Sequence, residues 1–109
     1  MMYFLMKGTP FIYQGQELGM SNVDFETIDQ YRDLDSKRFY REELQKGATK
    51  AQTLFKLRSK SRDNARTPMQ WDRTSTSGFS SHKPWIEVNP NHVEINVETE
   101  ETNANSVLN

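Results

Sequence analysis

Residues 61–72 read Ser-Arg-Asp-Asn-Ala-Arg-Thr-Pro-Met-Gln-Trp-Asp, bringing Arg62, Arg66, Asp63, Asn64, Gln70 and Trp71 close together. Planar cations, amides and an indole suit a hydroxyl-rich ligand. Arginine offers a fixed fork of donors, Asn and Gln both donate and accept, and an indole stacks on an apolar sugar face. Taken alone, the same stretch fits a salt-bridged surface loop, since most charged side chains stay solvated. A second run, residues 8–20 (Gly-Thr-Pro-Phe-Ile-Tyr-Gln-Gly-Gln-Glu-Leu-Gly-Met), tips the balance toward a site.

The elements around these runs suggest an α/β rhythm. Residues 1–8 are apolar up to Lys7 and Gly8, as in the last turns of a buried helix. Residues 9–15 are β-branched and aromatic between Pro10 and Gly15, which predicts a short strand apolar on both faces, as in a covered parallel sheet. Gln16, Glu17 and Gly19 follow at its carboxyl end, where α/β folds place ligands. Between Asp24 and Gly47 the pattern turns helical: Ile28, Tyr31 and Leu34 recur at helical spacing. Ser36 is placed to cap a helix carrying Phe39, Tyr40 and Leu44, which Gly47 ends. Thr49 and Gln52 predict a capping box for a further helix through Leu54, Phe55 and Leu57, which delivers the chain to Ser61. These aromatic positions are read as packing residues. Residues 89–91 (Asn-Pro-Asn) predict a turn, and the alternation over residues 93–97 a half-exposed strand. Asn103 or Asn105 is placed to cap one more helix. Both ends of the sequence read as interrupted elements.

Composition narrows the field. With 109 residues of which only 34% are hydrophobic, the chain is poor in apolar material for a self-contained core. A formal net charge of -1 gives no field for nucleic acid or an acidic membrane. The absence of cysteine removes disulfides, thiol nucleophiles and cysteine-zinc sites, and two separated histidines, His82 and His92, make a poor metal cage. The first residues are too short an apolar run to span a membrane and lack the form of a signal peptide, so the expected location is cytoplasmic.

Residues 8–20 resemble the segment around the eighth barrel strand of the α-amylase superfamily, glycoside hydrolase family 13. Taken with residues 28–33 (Ile-Asp-Gln-Tyr-Arg-Asp), residues 61–72, Gly78-Phe79, Pro84-Trp85 and residues 95–98 (Ile-Asn-Val-Glu), the chain resembles the oligo-1,6-glucosidase and α-glucosidase branch along nearly its whole length. The resemblance implies a retaining glycosidase on a (β/α)8 TIM barrel. Residues 1–109 would be a C-terminal fragment of that catalytic barrel and no complete domain: the end of helix 7, strand 8 and the long excursion before helix 8. It implies catalytic carboxylates upstream of Met1, at the ends of strands four, five and seven. Retention needs two carboxyls roughly 5–5.5 Å apart. Glu17, Asp33 and Asp63 match none of the family's catalytic motifs, so no catalytic residue is assigned in this chain.

By the same resemblance, Arg62 is a charge-assisted donor to the hydroxyls of the reacting sugar, and Arg66 lines or braces the same loop. Asp63 orients an arginine, and Glu17 either holds neighbouring side chains in place or is a structural carboxylate. Trp71 and Trp85 are read as packing under the loop, and His82 as a loop residue without chemistry. No cofactor and no metal are expected. The expected partners are an oligosaccharide substrate and the rest of the barrel, with no nucleic acid or membrane. The favoured substrate is a short α-1,6-linked oligosaccharide. Trehalose-6-phosphate hydrolases, dextran glucosidases and sucrose isomerases share the branch, and a phosphorylated substrate would ask for a basic pocket. Residues 56–60 are basic but sit on a helix, where a solvated face is the simpler reading. Two other classes stand against the glucosidase: a non-catalytic sugar- or protein-binding module, and a nucleic-acid reader built on the basic run 58–66. The latter has no interleaved aromatic platform.

Overall fold

The computed structural model describes residues 5–108. Two helices lie side by side at its centre, α1 over Leu34–Gln45 and α2 over Lys50–Lys60. A 3-10 turn, Ile28–Gln30, precedes α1, and a second, Arg62–Ala65, follows α2 directly. Farther on come a 3-10 turn at Pro90–Val93 and a short helix, α3, at Val97–Glu101.

Capping chemistry sets the two central helices. Thr49 and Gln52 form the expected reciprocal capping box on α2: the Thr49 hydroxyl accepts from Gln52 N–H at 3.2 Å and Gln52 Oε1 from Thr49 N–H at 3.1 Å. Helix α1 ends in a Schellman motif, with Gly47 N–H donating to Leu44 O and Ala48 N–H to Glu43 O. Gly47 takes φ +90 there, a conformation that costs a residue without Cβ little. At the other end of α1 the expected cap is displaced. Asp33, not Ser36, is the N-cap: its Oδ2 accepts both the backbone N–H and the hydroxyl of Ser36, each at 2.9 Å. An aspartate at the residue before the helix reaches the N–H three residues on, and competes at least as well as serine for the post. The helix therefore starts at Leu34, which points outward instead of continuing the Ile28–Tyr31 face.

The core is small and sits between these helices and the loops beside them. Val23, Phe25, Tyr31, Tyr40, Leu57 and Ile86 are buried together, with Ile28, Phe39, Leu44 and Leu54 packed at the edge. Phe25 and Tyr31 meet edge to face, ring centroids 5.2 Å apart. Phe55, expected to pack, is exposed on the far side of α2. Amide side chains stitch the irregular segments to this core. Asn64 donates to Arg58 O and accepts from Val23 N–H, Asn22 also donates to Arg58 O, and Asn89 reaches back to Ser21 O. Gln70, fully buried, donates to Ile95 O, and its own carbonyl accepts from Val97 N–H, tying the α3 region to the loop that follows Pro68.

Three expectations change. Residues 9–13 form no strand: among the described residues no ladder partner lies beside them, and Phe11 is 83% exposed. A strand exists only through its neighbours' hydrogen bonds, so an apolar pattern alone leaves an extended segment. Residues 93–97 are not a strand either. Asn96 caps α3 by accepting from Thr99 N–H at 2.8 Å, the task expected of Asn103 or Asn105. Its side chain ends the alternation by opening a helix. Of the buried helix end expected at residues 1–8, residues 1–4 lie outside the described residues, and Leu5 and Met6 are exposed.

Two stability measurements follow. The Tyr31 hydroxyl is buried without a hydrogen-bond partner, and burial pushes its pKa up. Tyr31→Phe removes an unpaired polar group while keeping the ring, so chemical denaturation should find it neutral or stabilised by up to ~1 kcal/mol. A loss above that would reveal a bond to the hydroxyl. Burial pushes the Asp33 carboxyl upward, but the Ser36 N–H and hydroxyl and the Arg62 guanidinium outweigh it and hold Asp33 below its ordinary 3.8. The unfolded chain then binds the proton more readily than the folded one. The stabilisation is full above the unfolded pKa and is lost as pH falls through the folded value. Asp33→Asn should flatten the acid limb of a stability–pH curve; an unchanged limb would place the titration elsewhere.

Candidate functional site

The expected site residues Arg62, Asp63 and Arg66 come together, and the residue that gathers them is Asp33, which the sequence reading did not assign to the site. The 3-10 turn Arg62–Ala65 starts where α2 stops, because the Ser61 hydroxyl accepts from Asp63 N–H at 3.2 Å and caps it. The turn puts Arg62 and Arg66 on the side that faces the N-terminus of α1. Arg62 Nε and Nη2 both reach Asp33 Oδ1, at 3.1 and 3.0 Å, and Nη2 also pairs with Asp35. Arg66 Nη1 lies 3.5 Å from the same Asp33 oxygen. One carboxylate thus holds two guanidiniums by one oxygen and the first turn of α1 by the other.

Asp63 is fully buried. Its Oδ2 accepts from the backbone N–H of Arg32 at 2.7 Å and of Asp33 at 2.9 Å. Its Oδ1 accepts no hydrogen bond and is 3.8 Å from Arg66 Nη1, an ion pair without a bond. Asp63 thereby clamps the backbone that carries Asp33, with Arg66 close beside it. Beneath it Ser36 Oγ and Ser61 Oγ share a hydrogen at 2.8 Å, joining the caps of α1 and the 3-10 turn.

Two open clefts flank this cluster. One, of about 260 Å³, is lined by Asp33, Asp35, Ser36, Phe39, Lys60 and Arg62, with Leu57 at its floor. The other, of about 280 Å³, lies between residues 13–21 and the Asn64–Thr67 loop. Gln16 lines it; Glu17 lines neither. Glu17 sits half-buried in the turn over residues 14–19, with Oε2 buried and unpartnered, so it is not joined to the arginine cluster. The first cleft thus offers a guanidinium, an ammonium and carboxylates over an apolar floor, and the second the amides of Gln14, Gln16 and Asn64.

The indoles depart from expectation. Trp85 is 67% exposed and Trp71 49% exposed, so neither is packed under the loop. Arg32 Nε donates to the Trp85 carbonyl at 3.0 Å, which fixes the backbone and leaves the ring outside. His82 bonds its neighbour Ser81 on the surface, in line with a loop residue. Among the described residues no cluster of His, Cys, Asp or Glu is arranged to hold a metal ion, and no helix is long and apolar enough to cross a membrane.

Known proteins carry a similar sequence in a similar shape. The family model described as alpha amylase, catalytic domain, matches residues 1–109. An oligo-1,6-glucosidase of Halalkalibacterium halodurans is 50% identical over 103 residues, 94% of this chain and 18% of that protein. A glucan 1,6-alpha-glucosidase of Streptococcus pneumoniae is 49% identical over 104 residues, 95% of this chain and 19% of that protein. The crystal structure of Bacillus licheniformis trehalose-6-phosphate hydrolase superposes with a TM-score of 0.90 at 44% identity, over 94% of this chain and 19% of that one. The chain thus spans about a fifth of the length of the proteins it matches. A whole-length family match, half-identical relatives and a shared shape place this chain in the alpha-amylase catalytic-domain family, glycoside hydrolase family 13, in its oligo-1,6-glucosidase branch and as part of that TIM barrel.

Proposed function

We propose that this chain is the substrate-holding part of a retaining, cytoplasmic α-glucosidase that cleaves α-1,6 bonds in short oligosaccharides. In this reading residues 1–109 supply the end of barrel helix 7, strand 8 and the excursion before helix 8. The observation that carries it is the Asp33–Arg62–Arg66 cluster, and the similarity of nearly the whole chain to relatives named as 1,6-glucosidases supports it.

The work divides by chemistry. Retaining hydrolysis takes one carboxyl as nucleophile and a second as acid and then base, about 5–5.5 Å apart. Those groups belong to other strands of the barrel. Arg62 and Arg66 donate hydrogen bonds to hydroxyls of the reacting glucose, which turns a mobile sugar into one held for attack. Asp33 and Asp63 aim the guanidiniums. Glu17 is a structural carboxylate of the preceding turn. No cofactor takes part in this reading, and neither nucleic acid nor membrane is a partner.

A phosphorylated substrate draws less support from this chain, even though a trehalose-6-phosphate hydrolase shares its shape. The basic run on α2 is largely spoken for: Lys56 pairs with Glu43 and Arg58 with Asp24. A phosphate would have to displace carboxylates already in place.

A segment exchange tests the proposal. The matching segment of the Halalkalibacterium enzyme is replaced by this chain's residues, and hydrolysis of isomaltose is measured. Activity within about tenfold of the parent is expected. A folded exchange product without turnover would overturn the reading. In the active product, Arg62→Ala should lower kcat/KM by about 100-fold, the scale of a lost charged donor at a reacting centre. Trp85→Phe should cost less than about threefold, since it alters no bond of the cluster. Equal losses would mean that the arginine loop does not face the sugar.

A further inference from the structure

The turn Arg62–Ala65 leaves its last carbonyl without a partner of its own, as every helical turn does at its carboxyl end. In this structure the group is satisfied from 52 residues away: the Tyr13 hydroxyl donates to Ala65 O at 2.6 Å. That carbonyl belongs to the peptide from which Arg66 departs. We propose that Tyr13 is a positioning residue for Arg66, a latch that fixes the end of the arginine loop and with it the donor to the sugar. The inference rests on the glucosidase reading for its functional consequence, and on the geometry alone for its structural one.

Both halves of the latch are held. Tyr13 N–H donates to Gln16 Oε1 at 3.2 Å, and Gln16 N–H returns to Tyr13 O at 3.0 Å. The turn then closes with Met20 N–H on Gly15 O at 2.9 Å. Gly15 makes this possible: its φ of +81 lies in the left-handed region that strains any side chain, and a Cβ there would also press on the Met20 side chain. Leu18, buried to 1% exposure, seats the turn against the body. Across the gap, Arg66 N–H donates to Asp63 O at 3.0 Å, and Asp63 is itself clamped to Arg32 and Asp33. The Tyr13 ring is otherwise largely exposed, so its hydroxyl, not its packing, is the part in use. The bond also closes the cleft between residues 13–21 and the Asn64–Thr67 loop on one side.

A double-mutant cycle in the active exchange enzyme tests the functional side. Tyr13→Phe should lower kcat/KM for isomaltose by about fivefold to tenfold, the scale of one hydrogen bond, with the melting temperature held. In an Arg66→Ala background the same change should have almost no further effect, because the latch acts through Arg66. An unchanged kcat/KM in Tyr13→Phe, or an equal loss in both backgrounds, overturns the inference while leaving the α-glucosidase reading intact. An exchange enzyme that never turns over defeats that reading instead. The structural side is then read from the folded exchange enzyme, whether or not it turns over, by its proton–nitrogen correlation spectrum. Tyr13→Phe should move the Arg66 amide signal, whose nitrogen shares the peptide with the accepting carbonyl, and leave that of Gln45 at the far end of α1 in place. Equal shifts at both, or none at Arg66, overturn the latch.

Discussion

The structure turns on one buried carboxylate accepting two consecutive backbone N–H groups. Asp63 sits at the end of α2 and takes the amides of Arg32 and Asp33 with a single oxygen. A buried anion is tolerable only where donors replace the lost water, and two amides with a guanidinium nearby do so. The consequence spreads outward. With Arg32 and Asp33 fixed, Asp33 is aimed to cap α1, and only a carboxylate aimed that way can also receive Arg62 and Arg66. The start of one helix and the loop after the next are therefore one unit, and neither arginine is placed by its own stretch of sequence.

The rest of the chain is less self-sufficient. Leu5, Met6, Phe11 and Ile12 lie open to solvent, while the buried core consists of a few side chains around α1 and α2. The radius of gyration is 16.2 Å, against about 13 Å for a compact domain of 100 residues. An apolar run between Pro10 and Gly15 has the composition of a strand covered on both faces, and in this chain nothing covers either face. A barrel segment that spans about a fifth of the proteins it matches would have this profile, since barrel strands take their hydrogen bonds and their burial from neighbours remote in sequence.

What was legible in the sequence was local. The Thr49–Gln52 box and the glycine stop at Gly47 involve partners within a few residues, and both stand as read. Arg62, Asp63 and Arg66, adjacent in sequence, also lie together in space, though Arg62 pairs with Asp33 and Asp35 and only Arg66 approaches Asp63. Asp33 escaped because its main role is to receive groups 29 to 33 residues away, a relation that no periodicity encodes. The misread strand at residues 93–97 has a different cause. Alternation of apolar and polar side chains is shared by a strand and by a 3-10 turn running into a capped helix, and only the Asn96 bond to Thr99 separates them. The tryptophans show a further gap. An indole beside a loop fits burial and exposure equally well, and the outcome depends on surfaces that the local sequence does not describe.

Arginines already paired with carboxylates can still serve a sugar. Arg62 spends its Nε and one terminal nitrogen on Asp33 and Asp35, and Arg66 directs one nitrogen toward Asp33 and Asp63. A guanidinium carries five N–H donors in a rigid plane, so fixing one edge orients the other edge without consuming it. The pairing also removes much of the rotamer freedom that a free arginine would lose on meeting a ligand. A neutral polyol has no charge to compete with the carboxylates, so it meets the free edge with the ion pairs intact. On the proposed glucosidase reading, the acids around the pair hold the donors in place and leave their free edge to the hydroxyls of a neutral sugar.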